Sequence, residues 1–235
     1  MAERRAFSEE PIRLFKSDFL EFFSHIRPEV VALIWTPVVL FFVVSGVIQT
    51  WPERWWIVPV GVFVGWFVWT FVEYVMHRFI FHYHPRTEPL KRIFFTMHGV
   101  HHAQPMCKTR LVMPPAISVP LSFVFYALFR LTLDGLGASV WFNPVFGGFV
   151  AGYLIYDLMH YSIHHFKVRS GAFQAIRKHH LRHHGPCNFM RYGVTFSLWD
   201  HVFGTMPKAP CAELLKARER AAAGSSAGTP AGGEG

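Results

Sequence analysis

At 235 residues the chain has the length of one or two soluble domains, yet 51% of it is hydrophobic, 17% aromatic and only 16% charged. With the apolar residues gathered in blocks, that composition excludes an ordinary soluble enzyme. A formal net charge of +8 raises nucleic acid as a partner, but no recognition motif accompanies it. Three widely spaced cysteines, Cys107, Cys187 and Cys211, form no CxxC pair and predict neither a disulfide framework nor a thiolate metal site.

The opening MAERRAFSEEPIR lacks the apolar core of a cleavable signal peptide, so residues 1–29 read as a cytosolic amphipathic segment. Within it, Ile12, Phe15, Phe19, Phe22, Phe23 and Ile26 recur at helical spacing. They predict a helix over 9–26 that lies on a membrane surface, against the protein's own cap, or on both.

Four apolar blocks follow, over 30–48, 55–72, 111–129 and 140–159, paired as two tight hairpins. A helix of 18 to 20 residues covers about 30 Å, the thickness of a bilayer's hydrocarbon layer. Pro37, Pro59, Pro114, Pro115, Pro120 and Pro144 argue against soluble helices and are tolerated where neighbouring helices satisfy the backbone. Gly61/Gly65 and Gly148/Gly152 are small-xxx-small pairs that would allow close helix approach. Lys and Arg number five in 1–29, six in 73–110 and ten in 160–235, against Arg54 and Arg130 alone at the hairpin tips. That bias places both termini and the central segment on the cytosolic side and accounts for the net charge. The expected fold is therefore an all-α integral membrane protein, four transmembrane helices in two hairpins with a cytosolic helical cap. The membrane domain spans 30–220, and a low-complexity tail over 221–235 is expected to be disordered.

Thirteen of the fifteen histidines fall in the windows 77–102 and 160–184. The second block runs into Glu73, His77, Arg78 and His82 without a turn signal. His77 and His82 are five apart, so they either serve different metals or share one through a loosened last turn. A helix over 88–104 carries His98, His101 and His102 at i, i+3, i+4, one face that could grip a single ion. His180, His183 and His184 repeat that spacing, and His160/His164 is an i, i+4 pair. Neutral imidazole ligates iron, copper and zinc, and about ten such rings suit two ions. A lone histidine is more often a surface or core residue, which is the reading given to His25, His84 and His201. Asp157, three residues before His160 at the edge of an apolar block, is either a partner for a ligand's second ring nitrogen or a substrate contact, unless it is merely solvated. Tyr153 and Tyr156 lie on the same stretch and could offer hydroxyls to a polar headgroup. Asp200 is a further candidate partner for a ligand histidine.

The series HRFIFH, HGVHH, HYSIHH and HHLRHH, with two membrane hairpins, resembles the fatty acid hydroxylase/sterol desaturase superfamily of integral-membrane di-iron oxygenases. EYVMHRFIFH, YDLMHYSIHH and WDHVFGT look most like the fatty acid 2-hydroxylases that act on sphingolipid acyl chains. The resemblance, over roughly residues 10–207, implies metal ligands at His77, His82, His98, His101, His102, His160, His164, His180, His183 and His184. His165 and His179 match neighbouring family histidines not usually counted as ligands. Many relatives carry an N-terminal cytochrome b5 domain with an HPGG motif. Only 29 residues precede the first block here, so electrons are expected from a separate donor such as cytochrome b5.

A C–H bond beside a carboxyl or amide carbonyl yields to no side-chain base or nucleophile. Its hydroxylation needs O2 and a redox metal, two iron ions on this reading, with zinc able to occupy the same nitrogens without redox chemistry. The protein itself would supply ligands, an apolar channel and exclusion of water. The expected setting is the endoplasmic reticulum of a eukaryote or the inner membrane of a bacterium. The rival readings are sterol or carotenoid oxidation or desaturation by the same superfamily, and a non-enzymatic histidine-rich metal-binding protein. Transport is disfavoured, because no histidine sits at mid-span.

Overall fold

The computed structural model describes residues 10–167 and 171–226. Among these the chain is all-helical. The helices are α1 (Asp18–Phe23), α2 (Pro28–Thr50), α3 (Ile57–Val75), α4 (Glu88–Phe94), α5 (Val100–Ala103), α6 (Pro115–Gly135), α7 (Phe142–His165), α8 (Gly171–His183), α9 (Leu198–Val202) and α10 (Cys211–Ser226). Pro at the first turn opens α2 and α6, where its missing N–H costs nothing.

Three described helical stretches are long and apolar enough to cross a membrane: Pro28–Thr50, Ile57–Phe81 and Pro115–Gly135. They display Leu33, Ile48, Phe63, Phe123 and Leu131 outward, as surfaces wetted by lipid do. The fourth expected block forms α7, which is as long but is not among the three. Its apolar residues Phe142, Val145, Phe146, Phe149 and Val150 are buried against neighbouring helices. Asp157, His160 and His164 lower the apolarity of its far end.

The two glycine pairs set how α3 and α7 meet. A Cβ on Gly65 would lie 1.9 Å from the Val145 carbonyl oxygen, and one on Gly148 would lie 2.1 Å from that of Val62. No side chain fits at either point, so the backbones approach as the small-xxx-small spacing predicts. Trp69 seals the crossing against Phe149, Tyr153 and Tyr156.

Three expectations are corrected. The N-terminal helix spans six residues rather than 9–26. Tertiary bonds claim the backbone ahead of it: the amides of Leu14 and Phe15 donate to Glu21, that of Ile12 donates to Gln104, and the Ile12 carbonyl accepts from Arg110. Phe19 and Phe22 stay exposed while the polar side docks on the cap, so the segment faces both ways. The predicted 88–104 helix exists, but a wide π turn at Phe95–Gly99 interrupts it between α4 and α5. Finally, Cys187 and Cys211 form a disulfide, with Cα atoms 5.9 Å apart, because α10 folds back onto the loop after α8. The two cysteines lie 24 positions apart, and no local pattern records that return. α10 continues through 221–226, and positions 227–235 of the expected tail lie outside the described residues.

Candidate metal centre

The ten predicted ligands gather in two groups of five. His77, His82, His98, His102 and His183 form one; His101, His160, His164, His180 and His184 form the other. Within each group the nearest ring nitrogens lie within 4.8 Å of one another. We call these the His77 group and the His180 group.

Local helix geometry decides which ring goes where. Met76–Phe81 is a π turn, and the His82 amide donates to the His77 carbonyl at 3.2 Å. Five residues per hydrogen-bonded turn bring His77 and His82 to the same side, so the loosened-turn alternative is the one realised. The three-ring faces, by contrast, do not grip one ion each. On a helix, i+4 lies about 40° from i, while i+3 lies about 60° to its other side. His98 and His102 accordingly join one group while His101 turns to the other. At the end of α8 the assignment reverses: His180 and His184, the residue just after the helix, join the second group and His183 the first.

The arrangement fits metal ions better than hydrogen bonds. His180 Nε2 lies 3.0 Å from the Nε2 atoms of His160, His164 and His184. One ring nitrogen carries at most one proton and cannot bond three others. Nitrogens sharing an ion through bonds of ~2.0–2.1 Å do sit roughly 3–3.4 Å apart. In the His77 group, His98 Nε2 lies 3.1 Å from His77 Nε2 and 3.0 Å from His102 Nε2. Burial, reinforced by neighbouring imidazoles, holds His98, His101, His180 and His184 well below the ordinary histidine range. Burial likewise lowers His102 to about 2, His82 to about 3 and His183 to about 4. The rings are neutral at physiological pH, as ligation requires.

The groups differ in their outer nitrogens. His183 Nδ1–H donates to the Met190 carbonyl at 2.7 Å, and His77 Nδ1–H donates to the Tyr192 carbonyl. These bonds select the tautomer that leaves Nε2 free to ligate. The Nδ1 atoms of His101, His160, His164, His180 and His184 are buried without a partner among the described residues.

The remaining candidates are placed as follows. Asp157 is buried, and its carboxylate accepts from the Met113 amide and the Tyr153 hydroxyl rather than from a ligand histidine. With Tyr156, His98, His101 and His160 it lines a pocket of about 210 Å³ walled by Leu111, Val112 and Met113 and roofed by Phe15 and Phe23. Tyr153 is buried in the aromatic packing. Asp200 accepts from the Tyr192 and Gly193 amides, the Thr205 hydroxyl and His179 Nε2, so it supports a ligand's partner and touches no ligand. Burial alone would raise Asp200, but these bonds outweigh it and hold the carboxyl low. His165 packs on Tyr161. Of the three set aside, His25 bonds Thr109, Glu21 and Arg110, and His84 and His201 are exposed. A second cavity of about 330 Å³ reaches His82, His98 and His102 from the side of Tyr83, His84 and Lys91.

Glu73 and the 190–195 loop bond one another, and the loop bonds two rings of the His77 group, contacts that no motif flagged. The only available signal was an ionisable residue at the foot of an apolar helix, one turn before His77.

Residues 62–205 match the family described as fatty acid hydroxylase. The chain belongs to this family. It is 38% identical over 207 residues to dihydroceramide fatty acyl 2-hydroxylase FAH1 of Arabidopsis thaliana, a match covering 86% of this chain and 84% of that one. It is 36% identical to fatty acid 2-hydroxylase of Mus musculus over 83% of this chain and 57% of the relative. The solved structure of full-length Scs7p, in which only the hydroxylase domain is visible, superposes with a TM-score of 0.74 at 36% identity. That match covers 82% of this chain and 72% of the other.

Proposed function

We infer that this chain hydroxylates C2 of long or very long acyl chains, held in sphingolipids and ceramides or as free fatty acids. One atom of O2 enters the C–H bond, and the other leaves as water with two electrons and two protons. The observation that carries the reading is the shared wall: His98, His101 and His160, drawn from both histidine groups, border the same apolar pocket as Asp157 and Tyr156. The named relatives point to the same chemistry, since they include a dihydroceramide fatty acyl 2-hydroxylase and a fatty acid 2-hydroxylase.

Each histidine group would hold one iron ion, and the pair supplies O2 activation when bound. Zinc fits the same donors but cannot change oxidation state. The rest is the work of the protein. Leu111, Val112 and Met113 receive the acyl chain and keep water from the reacting carbon. Asp157 and Tyr156 offer the polar end of the lipid a place to bond. Electrons come from a separate protein of the cytochrome b5 type.

The same reading gives an integral membrane protein with α7 as a fourth span, paired with α6 as α2 is with α3. The histidines then face the cytosol, from the endoplasmic reticulum in a eukaryote or the inner membrane in a bacterium. The abundance of Lys and Arg in 73–110 and 160–235 supports that orientation.

The test is expression in cells lacking 2-hydroxylated sphingolipids, followed by lipid mass spectrometry. Wild type restores 2-hydroxy acyl chains, and a His101→Ala/His102→Ala double variant, missing one ring from each group, restores none. Altered sterols or carotenoids with no 2-hydroxy lipid would overturn the substrate assignment.

A further inference from the structure

The two carbonyls that bond His77 and His183 belong to one short loop, and that loop is held in an unusual way. Four consecutive amides, those of Tyr192, Gly193, Val194 and Thr195, all donate to just two carboxylates. Asp200 takes the first two at 2.8 and 2.9 Å, and Glu73 takes the next two at 2.7 and 2.8 Å. The Thr195 hydroxyl adds a third bond to Glu73. Both carboxylates are buried, Glu73 4% and Asp200 0% exposed. A buried carboxylate is expensive unless fully bonded, and breaking its bonds leaves the charge stranded. Between the two carbonyls sits Arg191 with φ 65°, in the left-handed region that non-glycine residues rarely adopt. Backbone held in that region marks a segment whose surroundings dictate its shape.

Glu73 touches no ligand histidine through any hydrogen bond described above. It lies one helical turn before His77 in α3, and it grips the loop two residues beyond the Tyr192 carbonyl. Among the described residues, the loop carbonyls bond ligand histidines of the His77 group alone, while the five outer nitrogens of the His180 group lack partners.

We propose that Glu73 is a positioning residue for the His77 group alone: by clamping residues 194–195 it holds the Tyr192 carbonyl against His77 Nδ1 and so fixes the tautomer and ring angle that present Nε2 to an ion. The inference rests on the reading that each group holds one ion. Loss of a partner that orients a metal ligand typically weakens metal affinity 10–100-fold. Here that loss falls on one site of two.

The experiment uses the full chain purified in detergent, loaded with Zn²⁺ and equilibrated against chelators of graded affinity, with bound metal counted per chain. His77→Ala and His160→Ala assign the two binding steps to their groups. Glu73→Gln is expected to weaken the step lost in His77→Ala by 10–100-fold and leave the other in place. Thr195→Val removes one donor to Glu73 and is expected to shift that same step by a smaller factor. The second variant decides the matter if Glu73→Gln does not fold. Equal shifts in both steps, or a Thr195→Val curve superimposable on wild type, overturn the positioning role. Wild type that binds no stoichiometric metal would instead sink the two-ion reading beneath it.

Discussion

The two histidine groups hold neutral imidazoles by different means. The His180 group relies on packing. Three of its rings come from the ends of α7 and α8 and His184 follows α8 directly, and His101, His160, His164 and His180 are all at most 4% exposed. The His77 group is more open, with His82 and His102 half-buried beside the cavity at Tyr83, and two of its buried rings, His77 and His183, are steadied by carbonyls of the 190–192 loop. A ring walled in by rigid helices needs no hydrogen bond to choose its angle. Where a carbonyl accepts from Nδ1–H, as at His77 and His183, the bond also fixes which nitrogen is free.

Variants can break or sharpen that contrast. The largest effect is expected at His180, whose Nε2 is the hub of its group. His180→Ala should lower activity by at least ~100-fold, since even outer partners of metal ligands are worth 10–100-fold. Metal analysis should show one ion lost before the other; two ions retained would count against the hub role. Asp200→Asn loosens the loop amides of Tyr192 and Gly193 together with the Thr205 and His179 contacts, and should cost ~10-fold in metal affinity, confined to the His77 group. A matching loss in the His180 group would erase the distinction drawn here. The smallest effect belongs to the N-terminal strap. Burial would raise the Glu21 carboxyl, but bonds from the Phe15 amide, His25 and the Leu14 amide, with Arg110 alongside, hold it at about 2. Glu21→Gln should cost about 1–2 kcal/mol of stability in a detergent melt while both ions stay bound. Loss of either ion would mean that the strap reaches the metal centre.

Much of this was legible from residue type and spacing. The ten histidines announce themselves by number and by i, i+3, i+4 repeats, and the Gly61/Gly65 and Gly148/Gly152 pairs mark where α3 and α7 touch. What escaped depends on contacts distant in the chain or on small departures from helical geometry. The division of each HxxHH box between two groups follows from angles about the helix axis, but nothing in the spacing says where the ions would stand. The shortness of α1 reflects competition from Gln104 and Arg110, over 80 residues away. Glu73's role is not legible because its partners lie 121 and 122 residues on, nor is the Cys187–Cys211 link, because α10 doubles back.

The wide turn at Met76–Phe81 makes the metal centre sensitive to length as well as to identity. Dropping one residue between His77 and His82 would restore an ordinary α turn and swing everything downstream by about 100°. His82 would then leave its companions although every histidine remained in the chain. The residues between His77 and His82 can therefore be exchanged far more readily than their number can be changed.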